Sequence, residues 1–255
     1  ANNTWMQVPV GHTIVDGKII PADWSEIVLG SVMMVRWPHM LLAAFLTTGM
    51  CVASTGAWYV LRNMHRAEAR VMLNWGLAFV ALVMPIQLFF GHLTGLYVLK
   101  HQPAKFAAIE ARWKTQQPAS EVLMAIPDEK AEKNLFAIEI PRLGSMIASG
   151  NWTAKEIGLE AFPKEDRPPV VIPFFGFRLM VGMGLIMLAV SWFGNFLRWR
   201  GRLETTRWFL WGTFLAFPTG FIAVLMGWFT AEVGSGGREH LLDVSRRMDR
   251  ILGRA

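Results

Sequence analysis

A chain of 255 residues with 53% hydrophobic and only 17% charged residues, carrying 12 Trp and 15 Met, is too apolar for an ordinary soluble domain and reads as an integral membrane protein. Its formal net charge of +6 and pI near 9.8 do not mark a nucleic-acid binder, because the arginines cluster beside apolar spans and form no basic surface run. Cys51 is the only cysteine, which excludes a disulfide framework and a thiolate metal site.

In chain order, residues 1–35 form a polar and mixed lead with Pro9, Pro21 and scattered glycines, read as an outer-side loop with at most one short helix. Asn2-Asn3-Thr4 and Asn151-Trp152-Thr153 each fit a glycosylation sequon, a pattern too short to carry a function. No initiator Met or secretory signal opens the chain, so it is expected to be cut from a longer protein. Four apolar spans follow, from about 37 to 61, 71 to 99, 173 to 197 and 208 to 231. At about 1.5 Å per residue each exceeds or matches the roughly 30 Å hydrocarbon layer.

The expected fold is therefore all-α and integral to the membrane. Four transmembrane helices make two hairpins, residues 36–99 and 173–234, with a long outer-side loop, 100–172, between the second and third spans. The links inside the hairpins are short and basic: Arg62, Arg66 and Arg70 in one, Arg198, Arg200, Arg202 and Arg207 in the other. Short basic links face the cytoplasm, which puts the long loop outside. Within that loop QPAKFAAIEARW starts with a helix-opening Pro and spaces Phe106, Ile109 and Trp113 as an apolar stripe. Glu110 and Lys114 stand four apart and can pair along that helix.

The same orientation gives depths. Spans one and three run inward, so His39, three residues after Arg36, and Met180, two after Arg178, lie at similar levels near the outer face. His92 and Glu232 come late in outward-running spans and also lie toward that side. Intramembrane ionisable groups are costly and usually functional. An imidazole and a thioether from two helices suit a six-coordinate, electron-transferring haem. The residues alone leave alternatives: Met180 can simply pack, Arg178 can snorkel to the interface, and His92 competes with Met180 as second axial ligand.

Four stretches carry a resemblance. GHLTGLYVLKHQPAKFAAIEARW, NLFAIEIPRLGS, IPFFGFRLMVGMG and GWFTAEVG, with NNTWMQ and VRWPHMLLAAFLTTG before them, resemble the large subunit of cytochrome bd quinol oxidases in its cyanide-insensitive, short-loop form. The resemblance implies a multi-pass protein of the bacterial inner membrane whose long loop is periplasmic. It implies that His39 and Met180 ligate a low-spin haem b and that Arg178 stabilises its reduced form. Lys105 and Glu110 correspond to the quinol-interacting pair, and Glu232 to a glutamate near the high-spin haems, with Trp228 in the same motif. Their five-residue separation keeps Lys105 and Glu110 off one helical face, so at most one would point at the substrate.

Two departures qualify what the resemblance implies. The family continues GWFTAEVG with Arg-Gln-Pro-Trp, whereas here Ser235-Gly236-Gly237 leads into a tail, 235–255, whose Leu241, Val244, Met248, Ile251 and Leu252 share one face. The family's amino-terminal helices, which hold the high-spin haem b and surround haem d, are also missing. The chain is thus expected to carry the electron-entry haem and quinol site and to need those helices and a second oxidase subunit for oxygen reduction. Two other readings stay open: a bis-His haem anchor of another respiratory complex, using His39 and His92, and a non-enzymatic four-span protein.

Overall fold

The computed structural model describes residues 2–15 and 18–233; the amphipathic tail read at 235–255 lies outside them. The chain is mostly helical, with four apolar segments long enough to cross a membrane: 24–62, 66–101, 164–199 and 207–233. It divides into two compact units, residues up to 94 with 179–226, and residues 95–178 with the described residues from 227 on.

The first unit opens with α1 (Asn2–Gln7), a two-stranded antiparallel hairpin of β1 (His12–Val15) and β2 (Lys18–Pro21), and α2 (Trp24–Leu29). The lead is thus more structured than the single short helix expected of it. Asp23 caps α2 by accepting from the backbone N–H groups of Ser25 and Glu26 at 2.8 and 3.1 Å, as an N-cap aspartate should. α3 (Ser31–Arg62) begins ahead of the expected span, because residues 31–35 are apolar enough to continue it. It ends on Asn63, whose left-handed backbone lets Met64 N–H reach Tyr59 O at 2.9 Å.

α3 packs antiparallel on α4 (Arg66–His101) through small residues. A Cβ on Gly76 would stand 2.7 Å from the Ala53 nitrogen, and one on Gly56 2.6 Å from that of Leu73. Lipid tails are as apolar as leucine, so helices gain by close backbone approach, and small residues at the contact permit it. Leu46, Met50, Val80, Met84 and Met187 fill the space beyond.

The first part of α7 (Val171–Trp199) belongs to the second unit and residues from 179 on to the first. There α7 runs antiparallel to α4 and repairs it. Pro85 has no N–H, which orphans the Ala81 carbonyl four residues earlier; Trp192 Nε1 donates to that oxygen at 3.1 Å. Asn195 Nδ2 donates to Leu77 O one turn away, also at 3.1 Å.

The fourth span is two helices, α8 (Arg207–Leu215) and α9 (Thr219–Val233), broken where Pro218 stops the ladder. The tightened turn there leaves Thr213 O to be satisfied by Ser54 Oγ at 2.8 Å. Arg70 and Glu204 pair at 2.6 Å, which sets the two basic links at one end of this unit.

In the second unit α5 (Pro103–Ile109) is followed by an antiparallel hairpin, β3 (Glu121–Asp128) and β4 (Lys133–Ile140), then α6 (Leu143–Ser149) and two 3-10 turns. These strands were not expected from the sequence. Asp128 Oδ1 accepts from the N–H groups of Lys130 and Ala131 at 3.0 Å and shapes the hairpin turn. Glu129 in that turn accepts from Val170 and Val171 at 2.7 and 3.1 Å, capping the start of α7. Ala107, Ala108, Trp113, Val122, Leu159 and Phe174 form the core.

Candidate functional site

The local chain path decides where Glu110 points. The expected AAIEARW helix stops at Ile109: Ala111 is left-handed with φ 46°, Ala111 N–H bonds Ala108 O and Arg112 N–H reaches Ala107 O. That is a Schellman ending with alanine in the glycine position. Trp113 and Lys114 therefore leave the helix, and the Glu110–Lys114 pair expected from i,i+4 spacing gives way to one with Arg178. Glu110 is buried, and its Oε2 lies 3.1 Å from Arg178 Nη2.

Arg178 is the hub of this cluster. Its Nε and Nη2 donate to Val122 O at 3.1 and 2.6 Å, its Nη1 donates to Ile109 O, and the guanidinium lies 3.9 Å from the Phe174 ring centre. A second carboxylate shares it: Glu121 Oε1 is 3.7 Å from Nη2, and Glu121 hydrogen-bonds Glu110. Two buried carboxyls in contact cannot both be charged cheaply. Burial first, then the neighbouring Glu110, pushes Glu121 up to about 8 against the opposing pull of Arg178 and Arg112. The raised Glu121 carboxyl keeps its proton more readily than a free glutamate and can donate it in the contact with Glu110.

Lys105, also buried, donates its Nζ to Ala231 O at 2.6 Å near the end of α9. Lys105 and Glu110 thus engage different partners, as their spacing on α5 requires. Glu232 is half-buried one residue beyond Ala231, while the Trp228 side chain on α9 is exposed. Arg112 and Glu156 form a further buried pair at 3.8 Å; burial raises the Glu156 carboxyl and Arg112 opposes this. Sequence reasoning missed Glu121, Arg112 and Glu156. No local pattern marks them, since each meets its partner across the fold of the loop.

In the first unit His39 lies on α3 and turns its ring to Gln87 and Gly91 of α4. Its Nδ1 is buried without a hydrogen-bond partner, and its Nε2 faces the Gln87 amide at 3.5 Å. Gly91 makes the room: a Cβ there would press to 3.3 Å from the imidazole Cε1. His92, the next residue, is exposed. Gly184 of α7 lies against Met84, and the antiparallel register carries half-buried Met180, one turn earlier, toward the Gln87–Gly91 end of α4. A buried imidazole nitrogen lacking a hydrogen-bond partner has the chemistry of a metal or cofactor ligand.

Residues 1–236 match the family model described as cytochrome bd terminal oxidase subunit I. The chain is 28% identical to cytochrome bd ubiquinol oxidase subunit 1 of Bacillus subtilis strain 168, over 91% of this chain and 52% of that protein. It is 26% identical to cytochrome bd-II ubiquinol oxidase subunit 1 of Escherichia coli K12, over 91% of this chain and 58% of the relative. Its fold is similar to that of the bd oxidase from Geobacillus thermodenitrificans, with a TM-score of 0.82 at 26% identity, covering 92% of this chain and 54% of the other. The chain spans a little over half the length of these relatives. With a matching model over nearly its whole length and a shared membrane fold, the chain belongs to the cytochrome bd terminal oxidase subunit I family.

Proposed function

We propose that this chain is the electron-entry part of a respiratory quinol oxidase of the bacterial inner membrane. Its loop unit oxidises a quinol on the periplasmic side, and its helices hold a low-spin haem b between His39 and Met180. The observation that carries the reading is the buried Glu110 carboxylate, held by Arg178 beside a second carboxyl in the loop unit. Such a group can take a quinol proton, and buried Lys105 supplies a hydrogen-bond donor or charge for the quinone oxygen. Arg178, two residues before Met180 in the sequence, would stabilise the reduced form of that haem.

Among the described residues no group of three or more His, Cys, Asp or Glu could hold a bare metal ion. A porphyrin brings four ligands of its own and asks the chain for two. His39 and Met180 would hold the haem, which would supply one-electron acceptance at a potential raised by the methionine sulfur. His39 orients its imidazole through Gln87, and Gly91 leaves the space. Glu232 and Trp228 are assigned to the neighbourhood of the high-spin haems b and d, which the amino-terminal helices would hold. A second oxidase subunit is the expected partner, and oxygen reduction belongs to the full assembly.

The test is a reduced-minus-oxidised spectrum of membranes carrying the chain in its oxidase. His39→Ala and Met180→Leu should each abolish the low-spin band while His92→Ala keeps it. Loss of the band in His92→Ala but not in Met180→Leu would replace methionine by histidine as the second ligand. Glu110→Gln should keep the band yet slow its reduction by quinol.

A further inference from the structure

We propose that Glu121 is the proton-sharing partner of Glu110 in quinol oxidation, so that the proton acceptor is a two-carboxylate unit clamped by Arg178 and not Glu110 alone. The proposal rests on the reading of the loop unit as a quinol site. Its ground is geometric. Glu121 opens β3 next to Val122, whose carbonyl accepts two Arg178 bonds, while Glu110 caps α5 next to Ile109, whose carbonyl accepts another. One guanidinium therefore fixes both backbones, and both carboxylates reach its Nη2, at 3.1 and 3.7 Å.

The groups around the pair are accounted for. Glu121 meets Glu110 from α5, Arg112 from the turn after it and Arg178 from α7. On β4, Glu139 is turned to Ser120, whose hydroxyl donates to it. Arg112 is itself divided with Glu156, and its buried Nη1 has no hydrogen-bond partner. The buried cluster thus contains an incompletely satisfied donor near two carboxyls, a polar arrangement that a purely structural ion pair does not need.

The proton count follows. With Glu121 raised to about 8 the proton of the pair rests on Glu121 at neutral pH, and the Glu110 oxygen against Arg178 is the open acceptor. As a quinol O–H bond breaks, an O–H bond forms on Glu110, leaving a quinolate and two neutral carboxyls. The quinolate's second proton leaves to the aqueous side, and its two electrons would pass one at a time to a bound haem re-oxidised between them by the rest of the oxidase, which balances the oxidation of one quinol to quinone, two protons and two electrons. Return of a proton from the pair to the aqueous side resets it. Glu121 acts through Glu110 and is a positioning residue with a proton of its own.

The experiment measures quinol-driven haem reduction against pH in membranes containing the assembled oxidase, with Glu121→Gln, Glu121→Asp and Glu110→Gln. Dithionite reduction of the low-spin band checks that each variant is folded and loaded. Glu121→Gln is expected to lower kcat about tenfold with little change in KM, less than the roughly 10²–10⁴-fold of a group that itself transfers the proton, and to remove the alkaline limb of the profile near pH 8. Glu121→Asp should restore the limb at a shifted position. Unchanged kcat and profile in Glu121→Gln, with Glu110→Gln impaired, overturns the shared pair and leaves the quinol reading standing. No effect in Glu110→Gln overturns the quinol reading itself. If Glu121→Gln loses the haem band, Glu121→Asp decides: a wild-type pH profile overturns the proposal.

Discussion

The two units solve the same problem in opposite ways. The helices of the first unit meet through missing side chains: Gly56 and Gly76 let backbones touch, and the polar bonds across the contact answer carbonyls that prolines or tightened turns have orphaned. The loop unit meets through present ones: Arg178 draws a carboxylate and neighbouring backbone, and Arg112 another carboxylate, into buried clusters. In lipid a helix already satisfies its own backbone, and a charge has nowhere cheap to go. A loop with few internal backbone bonds needs side chains to replace the water it loses. Titratable chemistry therefore concentrates in the loop unit.

Removing the hub should break that contrast most. Arg178→Ala leaves two carboxyls facing each other and strips donors from Ile109 O and Val122 O. Losing one partner of a buried ion pair costs about 3 to 5 kcal/mol, so the loop should become protease-sensitive while the helical spans stay protected. A loop as protease-resistant in Arg178→Ala as in the unmodified chain would place its stability elsewhere.

The next effect is a pH dependence confined to one unit. Glu121 is raised from 4.5 to about 8, so the folded loop holds a proton that the unfolded chain releases. Stability from that proton is complete below the unfolded value and is lost as pH rises through the folded one. The slope cannot exceed about 1.4 kcal/mol per pH unit for one proton. Resistance of the loop to proteolysis should thus fall from pH 5 toward pH 8, and Glu121→Gln should flatten the trend. A loop that gains resistance over this range would contradict the protonated carboxyl.

The helices were legible because uncharged runs of membrane-crossing length leave little choice of state. Pro218 was a visible signal for the break in the fourth span, and the run before Arg36 for the early start of α3. The loop was less legible for a physical reason. Its hairpin exposes apolar residues on β4 such as Phe136 and Ile138, so no alternating pattern announces a strand. The end of α5 uses Ala111 where glycine would have given notice. His39 could be picked out as an intramembrane imidazole, and Glu110 by its motif. Glu121 could not, since only the folding of β3 against α5 and α7 makes it part of the same cluster.

A smaller effect should appear at the close contact of α3 and α4. Gly76→Val places side-chain atoms where the Ala53 backbone already lies, and overpacking of this kind costs about 1 to 3 kcal/mol. Denaturant unfolding of the purified chain should show the helical unit loosening while the loop ion pairs persist. Coincident loss of both would mean that the two modes of stabilisation are not separable.

The finest comparison is within the helical unit, at the carbonyl that Pro85 leaves open. Trp192→Phe keeps an aromatic ring and removes only the indole N–H that Ala81 O accepts. Interhelical bonds of this type average about 0.6 kcal/mol and reach about 1.7, a modest loss because the unfolded chain in lipid also finds partners. Pro85→Ala supplies the missing N–H from within α4. In that background Trp192→Phe should cost close to nothing, so a double-mutant cycle should return most of the single-variant loss as coupling. An undiminished cost after Pro85→Ala would mean that the tryptophan acts through packing, and that the helix gap is answered by something other than its N–H.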